Sequence, residues 1–284
     1  MKWKAIFIAV SFLALGYSQA YAQETNETDT ITQVGSTQNA TIDQSQGAQN
    51  DTVSISQYGD SNGAPVTEIG TNGNSVSVTQ SGGSNGESNG VGIVGGFTGS
   101  ITQTNETGDT DVVTENGILN NAVLTQSGGS GNTVLVNQGG FANDATVTQT
   151  GEAGDTDNVN QSSSEDFMSN NAVLTQSNGG GNHVNIFQVG GSNNVDVTQA
   201  GETGDIDFVT QIGFSNAATL MQSGGGGNMV NIDQEDYYYD FNNVATVTQE
   251  LASNSTANVT QAGSFNTATV HQTGTGNFAN INQH

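Results

Sequence analysis

Glutamine returns along this chain in steps that alternate between 11 and 12 residues, at Gln103, Gln126, Gln138, Gln149 and Gln161, with Glu115 standing in one place of that run. Most returns close one phrase, Asn-x-Ala/Val-x-Val/Ile/Leu-x-Gln, usually followed two residues later by Gly. The Asn and Gln of the phrase are Asn120 and Gln126, Asn132 and Gln138, Asn143 and Gln149, Asn170 and Gln176, Asn182 and Gln188, Asn193 and Gln199, Asn216 and Gln222, Asn228 and Gln234, Asn243 and Gln249, Asn266 and Gln272, and Asn277 and Gln283. Self-similarity at a short fixed period marks a chain that stacks repeats.

The named residues of each phrase are two apart, which puts Asn, the small apolar residue, the branched apolar residue and Gln on one face of a strand. Seven residues make a strand of roughly 20 Å. The next four or five, as in SGGSG or TGEAG, suit a tight corner. Two strands and two corners make one coil of 23 residues. The expected fold is all-β: a β-solenoid of about 11 two-stranded coils, roughly 50 Å tall, with two facing parallel sheets and a cross-β, amyloid-like interior. Stacked Asn and Gln amides are expected to form ladders along the axis. Each bond contributes only about 0.5 to 1.5 kcal/mol net, but a buried amide left unpaired costs about 1 to 3, so a ladder once begun is strongly specified. An end coil cannot complete it and templates another chain unless capped. The last phrase runs to Gln283 of 284 residues, so an uncapped edge is expected there.

Composition then excludes whole classes. The chain has no cysteine, and its two basic residues, Lys2 and Lys4, face 27 acidic ones for a formal charge of -25. Nothing beyond Lys4 can neutralise phosphate, so no nucleic acid and no membrane insertion are expected among its partners. The opening has a basic start, an apolar run from Ala5 to Leu15 and a small-x-small site at Ala20-Tyr21-Ala22, which reads as a signal peptide over residues 1–22. A short acidic segment, 23–30, is expected to follow, with the solenoid over 31–284.

Gln261-Ala262-Gly263-Ser264-Phe265-Asn266-Thr267-Ala268-Thr269-Val270-His271-Gln272 resembles the curlin repeat, Gln-x-Gly-x-x-Asn-x-Ala-x-x-x-Gln, at every fixed position. The resemblance, to the major curli fibre subunit, covers nearly the whole chain after the leader. It implies a structural subunit of an extracellular functional amyloid. Such a subunit is exported through the periplasm of a Gram-negative bacterium and an outer-membrane secretion pore, then polymerises with itself at the cell surface for biofilm matrix and adhesion. A separate nucleator subunit would be its partner. The array is about twice as long as in typical members, and no long Gly-rich targeting segment precedes it.

Three phrases carry inward aspartates in place of the amide and the small residue: Asp109 and Asp111, Asp155 and Asp157, Asp205 and Asp207. These are candidate gatekeepers that slow premature polymerisation, because ionised carboxylates in a narrow interior oppose stacking. A cation site built from Asp-x-Asp, or plain solvation at an open corner, are the other readings. No acidic residue follows Glu250, so the last three phrases are expected to start growth. Steps lengthen at Ser162 to Met168 and at Glu235 to Phe241, the latter holding Tyr237, Tyr238 and Tyr239, which read as surface loops. His183, His271 and His284 are too scattered for a metal or catalytic site, and no enzyme activity and no cofactor are expected. The rival reading is a monomeric ice-binding or adhesive solenoid, with Thr79, Thr102, Thr125, Thr148, Thr175 and Thr198 aligned outward in a row interrupted by Met221 and His271.

Overall fold

The computed structural model describes residues 9–13, 17–22, 28–34, 39–45, 52–60, 63–69, 75–83, 90–104, 108–163, 168–235 and 242–284. Among them all regular structure is β, in parallel pairings, with no helix: a β-solenoid. The chain divides into two units, Met1–Gln138 and Gly139–His284.

In the second unit each strand pairs in parallel with the strand two places later. One series runs Asp144–Thr150, Asn171–Ser177, Asn194–Ala200, Ala217–Ser223, Val244–Ser253 and Thr267–Thr275. The other runs Thr156–Ser163, His183–Gly191, Ile206–Phe214, Met229–Glu235, Thr256–Ala262 and Phe278–Gln283. The strands form because alternate residues have somewhere dry to go. Along Asp144–Thr150, Ala145, Val147 and Gln149 are buried while their neighbours face outward. Register stacks like on like: Val147 on Leu174, Val197, Leu220, Val247 and Val270. Each buried Val, Ile or Leu is worth about 1.5 to 3 kcal/mol, so a thin core suffices when every coil repeats it.

The corners obey a rule that glycine counting misses. The residue just before each inward Asn or Asp takes a left-handed backbone. At the corners entering one series it is Gly154, Gly181, Gly204, Gly227 or Gly276; at those entering the other it is Ala142, Ser192, Ser215, Asn242 or Phe265, with φ between 54 and 67°. Such a φ costs a residue with a Cβ roughly 1 to 2 kcal/mol. The asparagine that follows closes the corner, as Asn143 Nδ2 donates to the Gly139 carbonyl at 2.7 Å and Asn266 Nδ2 to that of Ala262 at 2.9 Å.

The first unit shows the same pattern. Thr28–Val34 pairs with Thr52–Asp60, which pairs with Ser75–Gly83, while Asn39–Ser45 pairs with Gly63–Ile69. Regular pairing already begins at Thr28, and Asp29 is buried, so the expected boundary at residue 30 falls inside a strand. Ala9–Leu13 and Tyr17–Ala22, within the expected leader, pair with Thr28–Val34 and Asn39–Ser45. The irregular stretch from Ser81 to Gly96 ends in a register shift between Gly96 and Phe97, where Gly90–Thr104 pairs with Thr110–Ser127. Tyr237, Tyr238 and Tyr239 lie outside the described residues, as does much of the other lengthened step.

Candidate functional site: the amide ladder

Glutamine side chains link coil to coil in both units. In the second unit Gln149, Gln176, Gln199, Gln222, Gln249 and Gln272 form one chain of Nε2 to Oε1 bonds at 2.7 to 2.9 Å. Gln161, Gln188, Gln211, Gln234, Gln261 and Gln283 form another at 2.8 to 2.9 Å. In the first unit Gln33, Gln57, Gln80, Gln103 and Gln126 continue the habit at 2.8 to 3.2 Å. In every rung the earlier glutamine donates and the later one accepts.

Each amide nitrogen has a second hydrogen to place, and the two chains of the second unit place it differently. Gln188, Gln211, Gln234 and Gln261 give it to backbone carbonyls of Asn171, Asn194, Ala217 and Val244 at 3.0 to 3.1 Å. Across the interior, four glutamines give it to aspartate. Gln149 and Gln176 reach the Oδ2 and Oδ1 of Asp157 at 2.7 and 3.3 Å, and Gln199 and Gln222 reach those of Asp207 at 2.7 and 3.2 Å. In the first unit Gln103 reaches Asp111 Oδ2 at 3.1 Å. A carboxylate has two oxygens and so serves two rungs. That explains its spacing: the residue stacked on Asp157 is Val184, the next Asp207, the next Val230.

The asparagines work mainly through backbone. Asn143, Asn170, Asn193, Asn216 and Asn243 each accept, at Oδ1, the backbone N–H of the next asparagine in the column, ending on Asn266, at 3.0 to 3.3 Å. Amide-to-amide bonds among them join Asn143, Asn170 and Asn193 at 3.1 Å. In the other column aspartate and asparagine alternate in the same role. Asp155 Oδ1 accepts from Asn182 N–H at 2.8 Å, Asn182 from Asp205 at 3.1 Å, Asp205 from Asn228 at 2.7 Å and Asn228 from Ser255 at 3.1 Å. Asp109 accepts likewise from Asn132 at 2.8 Å. Asn120 is buried, and Gln138 donates to the Asn121 carbonyl at 3.0 Å. At the last coil Asn277 and Gln283 are half-buried.

All six candidate gatekeepers are fully buried, at 0% exposure, which sets aside a solvated corner. Burial and the adjoining Asp155 raise the Asp157 pKa well above the carboxylate range, against the lowering pull of Gln149 and Gln176; Asp207 is raised the same way beside Asp205. Two corner carboxylates that sequence reasoning missed, Glu152 and Glu202, are 1% exposed. Burial, with the neighbouring aspartate, pushes them up to about 7 and about 8. Their signal was present in Gly-Glu-x-Gly-Asp-x-Asp at 151–157 and 201–207. Glu115 takes a glutamine's place, buried with neither oxygen hydrogen-bonded, and burial pushes it up to about 9. Among the described residues no three His, Asp or Glu side chains gather to hold a metal ion. The threonine columns exist, Thr79 beside Thr102 and Thr125 in one unit and Thr148 beside Thr175 and Thr198 in the other; the second continues as Met221, Thr248 and His271.

No curated protein matches the chain. The family model of the curlin associated repeat matches residues 208–235 and 252–284, and over those stretches the chain carries curlin associated repeats.

Proposed function

We propose that this chain is a secreted structural subunit of curli-type amyloid fibres, which polymerises with copies of itself at the cell surface by stacking further coils on its own. The observation that carries the reading is the one-way glutamine ladder. Every rung donates toward the C-terminus, so a solenoid of such coils offers acceptors at one end and amide hydrogens at the other. Gln33 Oε1 is buried and accepts no hydrogen bond. Gln272 and Gln283, in the last coil, give one hydrogen each to the carbonyls of Thr256 and Thr267, and the second is available to an acceptor in an added coil. Open strand edges of matching register add backbone bonds to the same contact. The proposal extends the two-strand coil over the whole array, about 11 coils at the usual strand spacing, and takes residues 1–22 as a leader removed on export. No catalytic step is assigned. A nucleator subunit and an outer-membrane pore are the partners that the curlin resemblance brings with it.

The test is thioflavin fluorescence of residues 23–284 against time, with and without preformed fibre seeds, followed by fibre diffraction. A sigmoidal rise shortened by seeds, with reflections near about 4.7 and 10 Å, is expected. A soluble, unseedable monomer with stable β signal would overturn the proposal and turn attention to ice binding and cell adhesion.

A further inference from the structure

The Asp205 column holds a clue that is independent of the glutamine ladder. Alternating with aspartate in that column are Asn182 and Asn228, each of which uses Oδ1 to accept a backbone N–H and Nδ2 to donate to a corner carbonyl, of Glu202 at 3.3 Å and of Ala252 at 3.1 Å. Asp205 copies the first half of this, accepting the Asn228 N–H at Oδ1. At Oδ2, where asparagine carries hydrogens, Asp205 has none to give when ionised. That atom is fully buried, no N–H donor reaches it with bonding geometry, and the same holds for both oxygens of Glu202. Glu202 lies against Asp205 across the left-handed Gly204. A hydrogen bond between two carboxyls requires a proton that neither brings when ionised.

The surroundings supply no substitute. No Lys or Arg occurs beyond Lys4. The neighbouring coils place Gly179–Gly181 and Gly225–Gly227 at this corner, without an ionisable side chain. On the same strand Asp207 faces inward, and its two oxygens are committed to Gln199 and Gln222. His183, on the flanking strand, faces outward against the Phe208 ring. The corner at Glu152, Gly154 and Asp155 repeats the arrangement, with Glu152 Oε2 accepting the Gly179 N–H at 2.9 Å and Asp155 Oδ1 that of Asn182 at 2.8 Å.

We propose that each corner pair, Glu152 with Asp155 and Glu202 with Asp205, takes up one proton from solvent as its coil closes, the proton standing where asparagine places an amide hydrogen. Folding is thereby coupled to acid. The raised values, about 7 at Glu152 and about 8 at Glu202 against 4.5 for the free group, agree in direction. Because the folded chain then binds more protons than the unfolded one, stability is full below about pH 4.5 and falls as pH rises toward 7 to 8.

The experiment compares the full chain with the double variant Glu152→Gln/Glu202→Gln, in which glutamine offers the aspartate an N–H without a proton. Urea unfolding between pH 5 and 6 is expected to show the wild-type folding constant dropping about a hundredfold relative to the variant per pH unit, about tenfold for each proton. The infrared band of protonated carboxyl at pH 6 is expected to shrink in the variant. Equal pH slopes and equal bands would overturn the proposal. Should the variant fail to fold, a pH-stat record of wild-type refolding at pH 6 decides: uptake of at least two protons per chain supports the proposal, and fewer overturns it.

Discussion

At the scale of single residues, the interior is organised by counting hydrogens. A glutamine amide has two, the next rung takes one, and where the opposite wall offers a carbonyl the other goes there. Where it goes to Asp157 or Asp207 instead, the aspartate becomes part of the ladder while remaining a buried charge against it. These two consequences separate experimentally. Asp111→Ala, Asp157→Ala and Asp207→Ala together are expected to shorten the polymerisation lag, because a forming coil no longer has to desolvate or protonate a carboxylate. The finished coils are expected to be weaker by about 1 to 3 kcal/mol for each amide hydrogen left without an acceptor. Since burial raises these pKa values, the shortening is greater at pH 7.5 than at pH 5. Thioflavin kinetics check the first effect and urea titration the second; an unchanged lag removes the gatekeeper role. The period of the aspartates is legible in the sequence. Their purpose is not, because it depends on which rungs face each other across the interior, and spacing along one strand carries no record of the opposite wall.

At the scale of the strand and its corners, the two-residue alternation made the strands legible, and the repeated Gln fixed their register. The corners were only half legible. Glycine clusters announce one set, but Ala142, Ser192, Ser215 and Phe265 adopt the same left-handed turn without being glycine, held by the asparagine that follows. Glycine is required for a different reason at Gly190, whose φ is 117° and where a Cβ would strike the Gly213 carbonyl of the next coil. At Gly204, with φ 68°, a Cβ would meet open space. Gly190→Ala is therefore expected to cost more than about 3 kcal/mol and Gly204→Ala only about 1 to 2. Urea midpoints of the two variants give the comparison, and equal losses would show that coil-to-coil approach does not constrain this corner.

At the scale of the whole molecule, charge is unevenly spread along a repetitive chain. Acidic residues stop at Glu250, and the coil formed by Thr267–Thr275 and Phe278–Gln283 has Ala279 and Ile281 only half-buried, so the least repulsive stretch also holds an unfinished surface. Deleting residues 251–284 is expected to lengthen the lag several-fold in the thioflavin assay; an unaltered lag would place the growing surface elsewhere. A last consequence lies in the uneven coil length. The glutamine step is 23 residues from Gln176 to Gln199 but 27 from Gln149 to Gln176 and from Gln222 to Gln249, while the rungs stay within 0.1 Å of each other. The solenoid thus measures itself in strands and is indifferent to how much chain is paid out between them. The interval between Ser163 and Met168 is accordingly a natural point of insertion, where a foreign peptide can be carried without disturbing a single rung.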